Sequence, residues 1–162
     1  MKSVYLVKQP GRSLIQENKR QKNTLDYIHL NLWGPSQVLS HRGARYFITF
    51  IDDLSRKVWV YVLKHKSEAF EKFKDCLTLI ENQTERRVKR LRTDNGLEYC
   101  CNDFEQLCIK KGIARHKTVR NTPQQNELAE RINRTLVEKV RYMLFNANLS
   151  KHFWVEAVTT AA

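Results

Sequence analysis

The amino-acid sequence predicts an α/β protein with a five-stranded mixed sheet flanked by helices. Three observations point to this class: three strand-like segments follow one another, two further strands each follow a helix, and a long helix comes after them. Three antiparallel strands extended by helix-connected strands make a mixed sheet with helices on its faces. At 162 residues the chain has room for one domain with a sizeable core.

The first three strands are predicted from alternation and from aromatic and β-branched content. LDYIHLNLW (25–33) alternates apolar and polar residues and is closed by Gly34 and Pro35. GARYFITFID (43–52) and KVWVYVLK (57–64) are separated by a short turn rich in Asp and Ser. These two segments therefore predict an antiparallel hairpin.

Helical spacing begins after the hairpin. In SEAFEKFKDCLTLIENQT (67–84) apolar residues recur at steps of three and four, with Ser67 as the expected N-cap. Next come a strand, VKRLRTD (88–94), a helix ending at Gly112, and a fifth strand, IARHKTV (113–119).

The longest helix is predicted over 122–149, with Thr122 as N-cap and Pro123 in the first helical position. Its buried stripe is expected at i+4 steps, and a last helix starts near Ser150. The stripe consists of Leu128, Ile132, Leu136, Val140 and Leu144.

The charge is unusual for a single domain. Lys and Arg number 29 against 17 Asp and Glu, which gives a net charge of +12. So basic a domain usually meets a polyanion, most commonly nucleic acid. The alternative is a basic surface that only keeps the protein soluble.

Composition argues against zinc, disulfides and a membrane span. The four cysteines form no C-x-x-C pair and have no histidines at zinc-finger spacing, so we expect reduced thiols and no structural zinc in an intracellular protein. No run of about 18 apolar residues is present, and no signal peptide is expected from the first residues. The cysteines are Cys76, Cys100, Cys101 and Cys108.

Two acidic residues stand out by their context. Asp94 ends a predicted strand before a tight Asn-Gly turn, which would leave its carboxylate at the rim of the sheet. Glu130 is about 200° around the long helix from Leu128, so it faces away from the core. The alternative is a solvated Glu130 beside Arg131 and Arg134.

Five sequence motifs follow one another along the chain: HLNLWGP, GARYFITFIDDLSRKVWVYVLK, LRTDNGLEYC, TPQQNELAERINRTL and FWVEA. In that order they resemble the integrase core of copia-type long-terminal-repeat retrotransposons. The resemblance implies a ribonuclease H-like fold, similar to retroviral integrases, and an Asp, Asp, Glu catalytic triad. The family separates its second Asp from its Glu by 35 residues, and 35 residues lie between Asp94 and Glu130.

The first Asp of the family lies in the motif H-x-D-x-x-G-P, where this chain has Asn31. The family uses that Asp to bridge two metal ions, whereas an amide offers one neutral oxygen and an NH₂ donor. We expect this change to cost at least ~10²–10³ in rate. Four other acids are candidate substitutes for the missing carboxylate, and we expect none of them to restore it. They are Asp26, on the opposite face of the strand; Asp52 and Asp53, at the hairpin turn; and Glu127, one turn before Glu130.

The resemblance also implies cofactors and contacts. Mg²⁺ or Mn²⁺ would be held by Asp94 and Glu130, as carboxylates suit these ions; His29 and His116 are expected to pack or hydrogen-bond instead. The expected DNA contacts are Arg92, Asn95, Lys117, Arg120, Gln124, Gln125, Asn126, Arg131 and Arg134.

The basic run RRVKRLR has three interpretations. Its cations, Arg86, Arg87, Lys89, Arg90 and Arg92, flank the strand that leads to Asp94. They could contact DNA, alternate as solvated residues on a strand, or form a nuclear-import-like signal.

The sequence therefore predicts a retrotransposon integrase core, a polynucleotidyl transferase for 3′ processing and strand transfer by descent, impaired at Asn31. The alternative is a non-catalytic nucleic-acid-binding relic or a repurposed DNA-binding module; a ribonuclease H-like nuclease fits the spacing less well. Residues 1–23 are expected to be a basic arm left from a preceding module, and residues 24–162 a core truncated at its C-terminal side. Expected partners are the element's DNA ends, target DNA and further copies of the chain, in the nucleus.

Overall fold

The computed structural model describes residues 23–94, 96, 102–118 and 126–162. Most of the expected N-terminal arm therefore lies outside the described residues. The described elements are strands β1 (Tyr27–Trp33), β2 (Tyr46–Asp52), β3 (Val58–Leu63), β4 (Arg90–Thr93) and β5 (Ala114–Lys117), and helices α1 (Ala69–Thr84), α2 (Asn102–Lys111), α3 (Glu127–Asn146) and α4 (Trp154–Ala161).

The described strands form one mixed sheet with the order β3-β2-β1-β4-β5. β1 is central: it pairs antiparallel with β2 and parallel with β4, which in turn pairs parallel with β5. The β2–β3 pair is antiparallel, as a hairpin requires. The predicted mixed five-stranded sheet is confirmed.

The sheet separates two hydrophobic cores. On one face Leu30 and Phe50 pack with residues of α1 and α2, including Phe73 and Phe104, whose rings stack 4.4 Å apart. On the other face the second core joins β2 to α3 and α4, and Phe47 contributes to it. Successive side chains of a strand point to opposite faces of the sheet, and β2 has apolar residues on both faces. Each face must therefore be covered by helices.

Two helix starts differ from the prediction. Ser67 is not an N-cap, because a 3₁₀ turn over Lys66–Glu68 precedes α1, and the Glu68 carboxylate accepts a hydrogen bond of 2.9 Å from the backbone N–H of His65. α3 begins at Glu127, so its predicted start at Pro123 is wrong. Pro123 itself lies outside the described residues.

The buried stripe of α3 is shifted from the predicted one. Leu136, Val140 and Leu144 are buried as expected, but Leu128 and Ile132 are only half-buried. Ala129 and Asn133 take the inner positions instead. Steps of three and four residues, rather than four throughout, follow one face of a helix with 3.6 residues per turn.

Gly34 has a structural role in the HLNLWGP segment. Its φ is +128°, and an added Cβ would lie 2.6 Å from the Tyr46 ring and 2.7 Å from the Arg45 carbonyl oxygen. Any larger residue would therefore clash at the end of β1. Part of this motif thus serves the fold and not the chemistry.

Among the described residues, no helix is both long and apolar enough to cross a membrane. Cys76 and Cys108 are buried free thiols, and burial raises their pKa to about 12 and about 11. The other two cysteines lie outside the described residues.

Candidate active site at the carboxyl end of the central strand

Asn31 lies on the central strand of the sheet, toward its carboxyl end. It belongs to β1, pairs with Thr49 of β2, and is 8% exposed. Directly paired residues of antiparallel strands point to the same face, so Asn31 and Thr49 share a face. That face is the one covered by α3, because Thr49 contacts the α3 residue Asn133.

Asp94 follows β4 by one residue. The parallel β1–β4 register runs from the Tyr27–Arg90 pair to the His29–Arg92 pair, and β4 ends at Thr93. Asn31 and Asp94 each lie two residues beyond the last of these pairs, toward the carboxyl ends of the two strands. The Asp94 carboxylate accepts a hydrogen bond of 2.8 Å from the backbone N–H of Gly96, so the turn holds it at the strand end. The intervening residue, Asn95, lies outside the described residues.

Glu130 stands in the first turn of α3 and is exposed. Its exposed position agrees with the expectation that it faces away from the core. Because α3 begins at Glu127 and not at 122, Glu130 lies one turn closer to the start of the helix than expected. Ala129 and Asn133 on either side of it are buried against the sheet. Glu130 and Asn133 are three residues apart and thus neighbours on the helix surface, so this turn of α3 is anchored beside Glu130.

A buried hydrogen bond holds α3 to the sheet. The Thr49 hydroxyl donates to Asn133 Oδ1 at 2.8 Å and lies 3.3 Å from the carbonyl oxygen of Asn31. Thr49 is 0% exposed and Asn133 is 4% exposed. One hydroxyl therefore joins β1, β2 and α3 beside the candidate site. The sequence analysis missed this pair, yet extending the stripe back from Leu136 in helical steps reaches Asn133.

The acids weighed as substitutes for Asn31 are engaged elsewhere. Asp26 precedes β1 instead of lying in it and forms an ion pair of 2.7 Å with Lys89. Asp52 ends β2, is 1% exposed, and accepts hydrogen bonds from the backbone N–H of Leu25 and from both the backbone and hydroxyl of Ser55. This carboxylate closes the hairpin turn.

The remaining two candidates are no better placed. Asp53 contacts His29 at 2.9 Å and Arg56 at 3.8 Å. Glu127, the first residue of α3, is exposed. Within the described residues no three or more His, Cys, Asp or Glu side chains are grouped so that they could hold a metal ion.

Both histidines beside the site make hydrogen bonds. His29 Nε2 lies 2.9 Å from Asp53 Oδ1, and burial lowers the pKa of His29, an effect that the hydrogen bond to Asp53 partly opposes. Because a carboxylate accepts hydrogen bonds, the Nε2 of His29 is the donor in this contact. His116 Nδ1 lies 3.0 Å from the Tyr27 hydroxyl.

The predicted DNA contacts have different environments. Arg92 donates from Nε to the Tyr27 hydroxyl at 2.6 Å, with its guanidinium over the Tyr27 ring. Lys117, Arg131 and Arg134 are exposed. Asn126 departs from the expectation of a surface contact: it is 5% exposed and is the N-cap of α3. Four predicted contacts lie outside the described residues: Asn95, Arg120, Gln124 and Gln125.

The comparison with known families defines the chain's class. The family model for the integrase core domain matches residues 17–123, and the chain belongs to that family. The resemblance to copia-type integrase cores that the sequence analysis drew is thereby confirmed.

The particular relatives are transposon polyproteins of plants. The chain is 50% identical over 154 residues to the retrovirus-related Pol polyprotein of transposon TNT 1-94 from Nicotiana tabacum, covering 95% of this chain and 12% of that protein. It is 34% identical over 137 residues to the Pol polyprotein of transposon RE1 from Arabidopsis thaliana, covering 85% of this chain and 9% of that one. The chain thus spans about a tenth of these relatives' length.

Solved structures show the same fold. The simian T-cell lymphotropic virus intasome, in complex with PP2A regulatory subunit B56 gamma, matches with a TM-score of 0.66 and 20% identity, over 85% of this chain and 46% of that one. The HTLV-2 integrase catalytic core domain in complex with magnesium, in its trimeric form, matches with a TM-score of 0.64 and 18% identity, over 88% and 85%. The predicted ribonuclease H-like fold is confirmed.

Proposed function

We propose that this chain is the catalytic core of a retrotransposon integrase, a DNA-joining phosphoryl transferase by descent, in which Asn31 greatly weakens the chemistry. The observation that carries the proposal is that Asn31 and Asp94 each follow the His29–Arg92 pair of the parallel β1–β4 register by two residues. Family membership supplies the reaction class, and these two positions supply the reason for impairment.

The donor set fits a divalent cation only in part. Asp94 and Glu130 would hold Mg²⁺ or Mn²⁺, which prefer carboxylate oxygens. When bound, such ions activate a water or a DNA 3′-hydroxyl and stabilise the leaving oxygen. Asn31 does not fit the bridging role, because its amide carries no charge and its NH₂ group would turn donors toward a cation. The four acids considered as substitutes do not repair this defect, since three are engaged in other contacts and Glu127 lies on the exposed side of α3.

DNA is the proposed partner, as element ends and as target. The net charge of +12 supports it, and so do the exposed cations Arg131 and Arg134 next to Glu130 on α3. The HTLV-2 integrase core has been solved in dimeric and trimeric forms, which supports self-association of this chain. A role in integration would be exercised in the nucleus.

A second candidate is a non-catalytic DNA-binding protein that keeps the fold. The same two features favour it: the neutral Asn31 and the strongly basic charge. Unlike the first proposal, it predicts no strand transfer even when Asn31→Asp restores the missing carboxylate.

Strand transfer by the chain and by Asn31→Asp, with Mg²⁺ and with Mn²⁺, separates these proposals. The first proposal expects activity in the Asn31→Asp protein at least ~10²-fold above that of the chain itself. Absence of activity in both proteins, with salt-dependent DNA binding retained, would favour the binding protein.

A further inference from the structure

A basic cavity lies at the amino ends of the interior strands β1 and β4, away from the candidate site. It is open to solvent and has a volume of about 290 Å³. Its lining consists of Asn23, Thr24, Asp26, Arg86, Arg87 and Lys89. Three cations and one carboxylate therefore face one space that is large enough for a phosphate group and its hydration.

The local fold explains why these cations stand together. Val88 is 2% exposed and Leu91 is fully buried, so the RRVKRLR run is fixed to the core at two points. Its last residues form β4, between β1 and β5. A chain held in this way cannot extend into a receptor groove, which argues against the nuclear-import interpretation. It also divides the run: Arg90 and Arg92 are half-buried in β4, paired with Tyr27 and His29 of β1, whereas Arg86, Arg87 and Lys89 line the cavity.

Charge pairing in the cavity is incomplete. Lys89 Nζ lies 2.7 Å from Asp26 Oδ1, and this is the cavity's internal ion pair. For Arg86 and Arg87, which are both exposed, the described part of the chain supplies no ion-pair partner. Within the described residues these two guanidinium groups are not ion-paired, and their planar fork of N–H donors suits phosphate oxygens.

The cavity is remote from the catalytic residues. Its residues precede the parallel strands β1 and β4, whereas Asn31 and Asp94 lie toward the carboxyl ends of these strands. Asn31 is five residues beyond Asp26, or roughly 16 Å along an extended chain. A single phosphate cannot contact both places, but a nucleic-acid backbone can.

We propose that this cavity is a second nucleic-acid contact site, in which Arg86 and Arg87 bind backbone phosphate apart from the catalytic residues. The inference rests on the proposed function for its premise that DNA is the partner. Nucleic acid is favoured over an acidic peptide because the whole chain is strongly basic, with a net charge of +12, and belongs to the integrase core family.

The test compares three double variants of the full chain by fluorescence anisotropy with a DNA duplex over a range of salt concentrations. Arg86→Gln/Arg87→Gln removes the cavity's guanidinium groups. Lys139→Gln/Arg141→Gln, on the exposed face of α3, makes the same charge change elsewhere. A third variant, R131Q/R134Q, weakens the surface beside Glu130. Thermal unfolding followed by circular dichroism checks that all three retain the fold.

Loss of two phosphate contacts should lower the slope of log K against log salt by about 1.8 and weaken binding about ten- to hundredfold near 0.1 M salt. The Lys139/Arg141 control should change affinity by less than about threefold. Equal losses in these two variants, or no loss in the Arg86/Arg87 variant, would overturn the proposal. A loss in R131Q/R134Q alone would reject the second site and leave the proposed function standing.

Competition identifies the ligand. A nucleic-acid site predicts that single-stranded DNA displaces the duplex far better than inorganic phosphate or polyglutamate of equal charge. Equal displacement by polyglutamate would overturn the assignment to nucleic acid. Strand transfer by the Asn31→Asp protein does not depend on this competition, so the two proposals can fail separately.

Discussion

Replacement of Thr49 by Val should loosen the attachment of α3 to the sheet. The Thr49 hydroxyl is fully buried and donates to Asn133 Oδ1 at 2.8 Å. Val keeps nearly the same shape but removes the donor, so the Asn133 oxygen loses this hydrogen bond inside the core. A buried acceptor deprived of its partner costs about 1–3 kcal/mol.

The magnitude can be measured by urea unfolding followed by circular dichroism. For a chain of this size, 1 kcal/mol corresponds to about 2–4 °C in Tm, so a decrease of about 2–12 °C is expected in thermal unfolding. Thr135→Val is the matched control, because the Thr135 hydroxyl is exposed and bonds only to the Arg131 carbonyl of its own helix, at 3.0 Å. This control should stay within about 0.5 kcal/mol.

A Thr49→Val protein no less stable than the Thr135→Val protein would refute the reasoning. The double variant Thr49→Val/Asn133→Leu tests the pair itself. If the two side chains act as a unit, the double variant loses less free energy of unfolding than the two single variants together, with a coupling of about 0.5–1.5 kcal/mol. Strict additivity would contradict the hydrogen bond.

Three further predictions concern other buried groups. Asp52→Ala should lower the free energy of unfolding by about 1–3 kcal/mol, because the buried N–H of Leu25 loses its acceptor; an unchanged urea midpoint would argue against this turn. Because burial lowers the pKa of His29 below 6.5, the unfolded chain binds the proton first as the pH falls. Stability should thus decrease as the pH drops below 6.5, and His29→Phe should flatten that profile; parallel profiles would contradict the assignment. Burial raises the pKa of Cys76 to about 12 and that of Cys108 to about 11, so both thiols should resist alkylation at pH ~8 until the chain is unfolded. Peptide mass spectrometry measures the labelling, and rapid labelling of the native chain would disprove their burial.

The sequence predicted the sheet well because its signals are local. Alternation in residues 25–33 and the aromatic, β-branched hairpin strands each report on their immediate neighbours. The position of Asp94 at the end of its strand and the outward orientation of Glu130 also followed from local turn and helix signals. The resemblance to a known family then gave the pair its meaning, which spacing alone did not.

The parts that sequence reasoning missed depend on contacts between distant segments. The Thr49–Asn133 pair joins residues 84 positions apart, and Asp52 accepts the N–H of a residue 27 positions away. Neither contact leaves a periodic trace in the sequence. The start of α3 was misplaced because Pro123 is a good first helical residue by itself, whereas the structure begins the helix at Glu127.

The central claim is that one carboxylate is missing from an otherwise intact integrase scaffold. The most direct measurement is metal-dependent strand transfer by Asn31→Asp beside the unaltered chain, with Asn31→Asp/Glu130→Gln as the control that should remove the gain. We expect strand transfer by the Asn31→Asp protein to exceed that of the chain by at least ~10²-fold. Equal activity in the chain and the Asn31→Asp protein would contradict it.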